Sequence, residues 1–192
     1  MAKGLSAESI TVAAAELIEQ YGRSGFSMRL LADTMGVKTA SLYNHIENMD
    51  TLLTEVCRYA LRMQEDGELR AIAGKTGREA VWALAWAYRR FAQQHRELYW
   101  LVMDTAAGEP RVLDDAAARF TEPLKQVLSS FRLPPREEIH FRRMFRAIVH
   151  GFASQEDEGF FSHYPASTEL SFEFAIQRFI DCVLEAEKRN PS

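Results

Sequence analysis

Between positions 38 and 46 the chain sets Lys38, Thr39, Ser41, Tyr43, Asn44 and His45 around two apolar residues, Leu42 and Ile46, that are spaced four apart. An ammonium, two hydroxyls, a phenol, an amide and an imidazole are the donors and acceptors that phosphates and base edges in a DNA groove require. Leu42 and Ile46 share one face of a helix, which leaves the polar residues on the outer faces. A helix is therefore predicted from Lys38 to His45 or Ile46, too short and polar for a core element but suited to lie in a major groove.

Catalytic chemistry has thinner support. His95, His140, His150 and His163, with Glu156, Asp157 and Glu158, are the groups available for acid–base or metal work, and none has a tight ligand spacing such as HExxH. The chain lacks a glycine-rich phosphate loop, a GxSxG elbow and a cysteine beside a histidine. Cys57 and Cys182 stand far apart outside any CxxC pattern, which argues against a zinc finger or a disulfide framework. No catalytic residue, cofactor or metal is expected.

The elements around residues 38–46 fit a reading unit. Ser27 is placed to cap a helix whose Leu30, Leu31 and Met35 share a face, and Gly36 suits the left-handed residue that ends it, with Val37 packing back. That is the turn of a helix-turn-helix. Asn48 is placed to cap the next helix, from Met49 through Leu52, Leu53 and Val56. Upstream, Ser6 opens a helix with an apolar stripe of Ile10, Ala13, Ala14, Leu17, Ile18 and Tyr21, ended by Gly22 and Gly25. Three helices thus make a domain over 1–48.

A chain of 192 residues that is 47% hydrophobic can bury a substantial core. No apolar run follows the N-terminal charge and no stretch approaches a membrane span, so a cytoplasmic protein is expected. The net charge of −4 weighs against strong phosphate binding, and Met1–Leu53 holds four basic against six acidic residues. Within 27–46, however, Arg29, Lys38 and His45 face only Asp33. The expected DNA affinity is modest and salt-dependent, and two half-sites read by a dimer would compensate.

Gly36-Val37, then Ser41-Leu42-Tyr43, His45-Ile46 and Leu52-Leu53, resembles the N-terminal domain of TetR-family repressors over Ile10 to Leu53. The resemblance implies that Tyr43 touches a backbone phosphate, that Lys38, Thr39, Ala40, Ser41 and Asn44 face base edges or phosphates, and that His45 meets a phosphate. Arg29, at the start of the preceding helix, suits a further phosphate contact. Met49 stands where the family often carries a phosphate-binding lysine. A second segment, Phe145–Phe161, is similar to the His-Gly-Phe segment of the family's WHG-type branch, with Phe145 or Ile148 in the neighbourhood of the usual tryptophan.

The family likeness implies an all-α, TetR-like fold of about nine helices, with an effector-binding and dimerisation domain over 49–192. It implies a ligand-responsive repressor that binds a palindromic operator as a homodimer and is released by a small hydrophobic or aromatic effector. The remaining residues are read as follows. The helix from Met49 continues to about Met63 as a connecting rod, and Gln64–Gly77, with three glycines and several charges, reads as a loop or frayed end. Helices are expected over 78–95, 98–103, 111–131, 136–158 and 168–188, with Gly108-Glu109-Pro110 as a turn and Pro123 as a kink.

Trp82 and Trp86, four apart on the first of these, either line a pocket or simply fill the core. With Arg89, Met103, Phe120, Phe145 and Phe152 they are the candidate effector contacts. Arg142, Arg143 and Arg146 are read as surface ion pairs. The last helix is apolar on more than one face, which suits packing against a second subunit together with the helix before it. The alternative reading is a helical small-molecule-binding protein or enzyme whose helix-turn-helix is vestigial.

Overall fold

The computed structural model describes residues 4–108, 114–163 and 165–189, and the side chains of 106–120 lie outside the described set. Nine α-helices and one short 3-10 turn make up the regular structure of the described residues, and no strand occurs among them. None of these helices is long and apolar enough to cross a membrane. By packing, the chain divides into two compact units: residues 1–63 with 95–120, and residues 64–94 with 121–192.

The first unit holds α1 (Ala7–Gly25), α2 (Met28–Met35), α3 (Thr39–Leu42), α4 (Met49–Ile72) as far as Met63, and α6 (Arg96–Gly108). Ser6 and Ser9 cap α1 reciprocally, each side chain accepting the other's backbone N–H at 3.0–3.1 Å. The expected stripe is buried at Ile10, Ala14, Leu17 and Ile18, while Tyr21 is 50% exposed. The regular spiral breaks one residue further on, at Gly22 (φ 70, ψ 165). α1 packs on α6, where Glu19 Oε1 lies 3.1 Å from His95 Nδ1. Burial raises the Glu19 pKa against the opposing pull of His95. Cys57 is buried, its thiol donating to the Thr105 hydroxyl at 3.3 Å, and burial pushes its pKa up, whereas Cys182 is exposed.

Asn48 Oδ1 accepts the backbone N–H of Thr51 at 2.8 Å, so α4 starts where its cap predicts. It does not stop near Met63. The helix runs on to Ile72, which corrects the expected loop over 64–77. Gln64, Glu68 and Ile72 recur every fourth residue and are 2%, 4% and 3% exposed, forming an inward stripe whose first two members are polar. Apolar periodicity alone does not register such a stripe. Gly67, at a cost of about 1 kcal/mol relative to alanine, leaves the helix unbroken.

The second unit holds the rest of α4, α5 (Gly77–Gln94), α7 (Asp114–Leu128) from Thr121, α8 (Pro135–Asp157), a 3-10 turn (Phe160–His163) and α9 (Thr168–Lys188). α8 packs on both α5 and α9, and α5 on α9. Val81, Leu84, Phe145, Val149, Phe172, Ile176, Phe179 and Val183 form the core between them. α7 remains helical through Pro123. The expected turn at Gly108-Glu109-Pro110 lies largely outside the described residues.

Asn48→Ala removes the cap of α4 and is expected to lower stability by about 1 kcal/mol. Urea denaturation followed by circular dichroism checks this, with Asn48→Asp retaining most of the lost stability.

Candidate DNA-binding interface and effector region

α2 begins where the Ser27 hydroxyl accepts the N–H of Leu30 at 3.1 Å. It ends on Gly36 (φ 68, ψ 30), a left-handed conformation that glycine takes without a Cβ clash. The Val37 N–H then returns to the Ala32 carbonyl at 3.0 Å, closing the turn. Lys38 is extended, and α3 opens at Thr39. Regular α-helix covers only Thr39–Leu42, shorter than the expected span to His45 or Ile46. After Tyr43 the spiral tightens: the His45 N–H reaches the Leu42 carbonyl at 2.9 Å, and the Ile46 N–H shares it at 3.1 Å.

Leu42 is fully buried and Ile46 is 6% exposed, so both anchor the segment from beneath. Lys38, Ala40, Asn44 and His45 are exposed, Tyr43 is 49% exposed, and Thr39 and Ser41 are half-buried. The structure thus brings these seven residues together on one short stretch. Arg29, exposed at the start of α2, lies 3.8 Å from Asp33 in a loose surface pair. Pairs this exposed contribute about 0–1 kcal/mol, so the guanidinium is available to a stronger anion. Met49 is half-buried at the start of α4.

The candidate effector residues divide differently. In the second unit the rings of Trp86 and Phe152 each meet Phe172 edge-on, at 5.2 Å. The Arg89 guanidinium lies 5.1 Å from the Trp86 ring centre and 4.9 Å from that of Phe172. It donates through Nε and Nη2 to the two carboxylate oxygens of Glu156, at 3.1 and 2.5 Å, and Gln93 donates to the same carboxylate at 3.1 Å. Arg89, expected to face a ligand, is thus engaged in a bidentate pair at 8% side-chain exposure. Neither Glu156 nor Phe172 stood out as its partner in the sequence, since both lie more than sixty positions away.

Phe145 is 3% exposed and packs edge-on against Phe179 at 5.4 Å, a core position. Trp82 is half-buried on α5, Met103 belongs to the first unit, and the Phe120 side chain lies outside the described residues. Of the arginines on α8, Arg142 pairs with Glu138 at 3.4 Å, and both side chains are half-buried rather than on the open surface. His150 is half-buried, and burial with the neighbouring Arg146 cation lowers its pKa. Among the described residues no three His, Cys, Asp or Glu side chains converge to hold a metal.

Comparison with known proteins gives this architecture its family. Residues 10–56 match the bacterial regulatory proteins of the tetR family, and residues 81–179 match the tetracyclin repressor-like C-terminal domain. An uncharacterised HTH-type transcriptional regulator of Mycobacterium tuberculosis is 30% identical over 161 residues, covering 81% of this chain and 72% of that protein. The chain belongs to the TetR family.

Solved TetR structures share its fold. A transcriptional regulator of Streptomyces coelicolor described as a TetR superposes with a TM-score of 0.78 at 17% identity, over 95% of this chain and 99% of that one. A TetR variant from Acinetobacter baumannii, in complex with minocycline, superposes with a TM-score of 0.69 at 18% identity, over 95% and 98% of the two chains. As a TetR-family member the chain is a DNA-binding transcriptional regulator with an N-terminal helix-turn-helix, and its relatives are regulators rather than enzymes.

Arg89→Ala leaves Glu156 buried without its cation and is expected to cost about 3 kcal/mol of stability. The paired substitution Arg89→Met with Glu156→Leu is expected to recover most of it. Chemical denaturation of the three variants beside the parent measures both.

Proposed function

We propose that this TetR-family chain is a ligand-responsive repressor that binds a palindromic operator as a homodimer. Residues 1–48 read the DNA, and residues 49–192 bind the effector and form the dimer. The observation that carries the first half is the display of Lys38, Thr39, Ala40, Ser41, Tyr43, Asn44 and His45 above a buried Leu42 and Ile46. In this reading Tyr43, His45 and Arg29 contact phosphates and fix the register, while Lys38, Thr39, Ala40, Ser41 and Asn44 face base edges or phosphates.

Dimerisation through α8 and α9 is supported by large apolar side chains left in solvent. Ile139 and Met144 on α8 are 48% and 38% exposed, and Leu170 and Phe174 on α9 are 64% and 65% exposed. Apolar groups so placed favour a second copy of the same surface. Two reading segments then meet half-sites about one helical turn, ~34 Å, apart.

The effector is a hydrophobic or aromatic small molecule, with Trp82, Trp86 and Phe152 as its contacts and the Arg89–Glu156 pair fixing their places. The minocycline complex of the Acinetobacter baumannii protein supports small-molecule control in this fold. Release from DNA requires the ligand to prefer the non-binding arrangement, by about 5.5 kcal/mol for a shift from 1:99 to 99:1. A cytoplasmic setting is part of this reading, supported by the two free thiols.

Selection of bound sequences from random duplex DNA at low and moderate salt tests the reading. A palindrome with half-sites one turn apart is expected, and no enrichment at low salt would favour a vestigial helix-turn-helix. Tyr43→Ala is expected to abolish binding to the selected site without loss of the folded dimer, as read by gel shift and by sedimentation. Unchanged affinity would refute the placement of the reading helix.

A further inference from the structure

α1 is tied to α6 by a carboxylate. His95, the residue before α6, places Nδ1 3.1 Å from Glu19 Oε1, and an ionised carboxylate only accepts, so Nδ1 is the donor. The backbone N–H of Glu97, in the first turn of α6, adds a second hydrogen bond to the Glu19 carboxylate. A negative charge at the start of a helix also meets the positive end of its dipole. The Glu19 and His95 side chains are 26% and 34% exposed, so the contact is made partly out of water. Burial opposes it by raising the Glu19 pKa, while His95 and the Glu97 N–H pull the other way.

Backbone closes the other side of this joint. α1 turns at Gly22 against the Glu97 side chain, where a Cβ would stand 3.3 Å from Glu97 Oε2. Glu97 is itself held by Arg96, whose Nη1 donates to Oε1 at 2.6 Å. Any larger residue at position 22 would press on that carboxylate and would also have to adopt a positive φ.

The course of the chain gives the joint its importance. α2 and α3 follow α1 directly, and α4 carries the chain from the first unit into the second at Met63–Gln64. It returns to the first unit at Gln94–His95. Gln93, two residues earlier, is bonded to Glu156 in the second unit at 3.1 Å. A single helical rod leaves the body it carries able to bend and twist about it. A second tie, at the point where the chain comes back, removes that freedom, as the precise placing of a binding surface requires.

We propose that Glu19 and His95 are positioning residues: by tying α1 to the start of α6 they fix the attitude of α2 and α3, and in the dimer they restrict which half-site separations the two reading segments can meet. The inference rests on the reading of the operator as two half-sites bound by a dimer, and it names residues that set their separation. Both residues act through α1, and neither has to touch DNA.

Fluorescence anisotropy of the full chain tests this on the selected palindrome and on duplexes whose half-sites stand one base pair closer or farther apart. The parent is expected to bind one separation at least about tenfold tighter than its neighbours. Glu19→Ala is expected to lose about tenfold at that separation and less than about twofold at the others, so that the preference flattens. His95→Ala is expected to do the same, and the double variant to fall no further than either alone, the mark of a shared contact. Glu19→Gln, whose carbonyl still accepts, is expected to keep the parent's preference. Equal affinity of the parent for all separations, or a loss in Glu19→Ala that is the same at each of them, overturns the positioning role. Should selection yield no palindrome, the dimeric reading fails by itself and amide exchange decides the tie. The Glu97 N–H is then expected to exchange at least about tenfold faster in Glu19→Ala than in the parent, and an unchanged rate overturns the inference.

Discussion

The display of the candidate DNA-binding side chains on residues 38–45 depends on the burial of Leu42 and Ile46. A single turn of helix and a tightened turn are all that hold the seven candidate side chains in place. A helix of one turn has no stability of its own, because nucleation is not repaid over so few residues. Its geometry is therefore borrowed from the hydrophobic contacts beneath it and from the left-handed turn at Gly36, which delivers the chain in the right direction. The polar residues on this stretch, exposed or half-buried, contribute little to the fold.

The second unit solves a different problem with comparable economy. Three long helices, α5, α8 and α9, are locked by aromatic packing around Phe172 and by one buried ion pair. The Arg89 guanidinium lies near two aromatic rings while both its forked donors face Glu156. Such a pair adds little or no net stability over an apolar substitute, but breaking it is costly, so it favours one arrangement of α5 against α8 over its competitors. The same unit also buries a polar pair on α4, where the Gln64 amide donates to Glu68.

Much of this architecture can be read from the amino-acid order. Ser6, Ser27 and Asn48 cap the helices they precede, Gly36 adopts the conformation its position demands, and Leu42 with Ile46 marks the inner face of the reading helix. These are local signals, decided within a few residues. What escaped was non-local or polar. The continuation of α4 to Ile72 is hidden because its inward stripe begins with a glutamine and a glutamate. The partner of Arg89 is hidden because nothing near it in sequence announces Glu156. Tyr21 also misleads: it keeps helical spacing with the core residues, yet it stands half-exposed at the end of the regular spiral.

The contrast between the two cysteines has a practical consequence. Cys57 is sealed beside Thr105 with its thiolate form disfavoured by burial, whereas Cys182 stands exposed on α9. Electrophiles react with thiolates that they can reach, so under mild conditions a maleimide dye will mark α9 alone. The unaltered sequence thus carries a one-position spectroscopic handle, and it lies on the helix that also exposes Leu170 and Phe174.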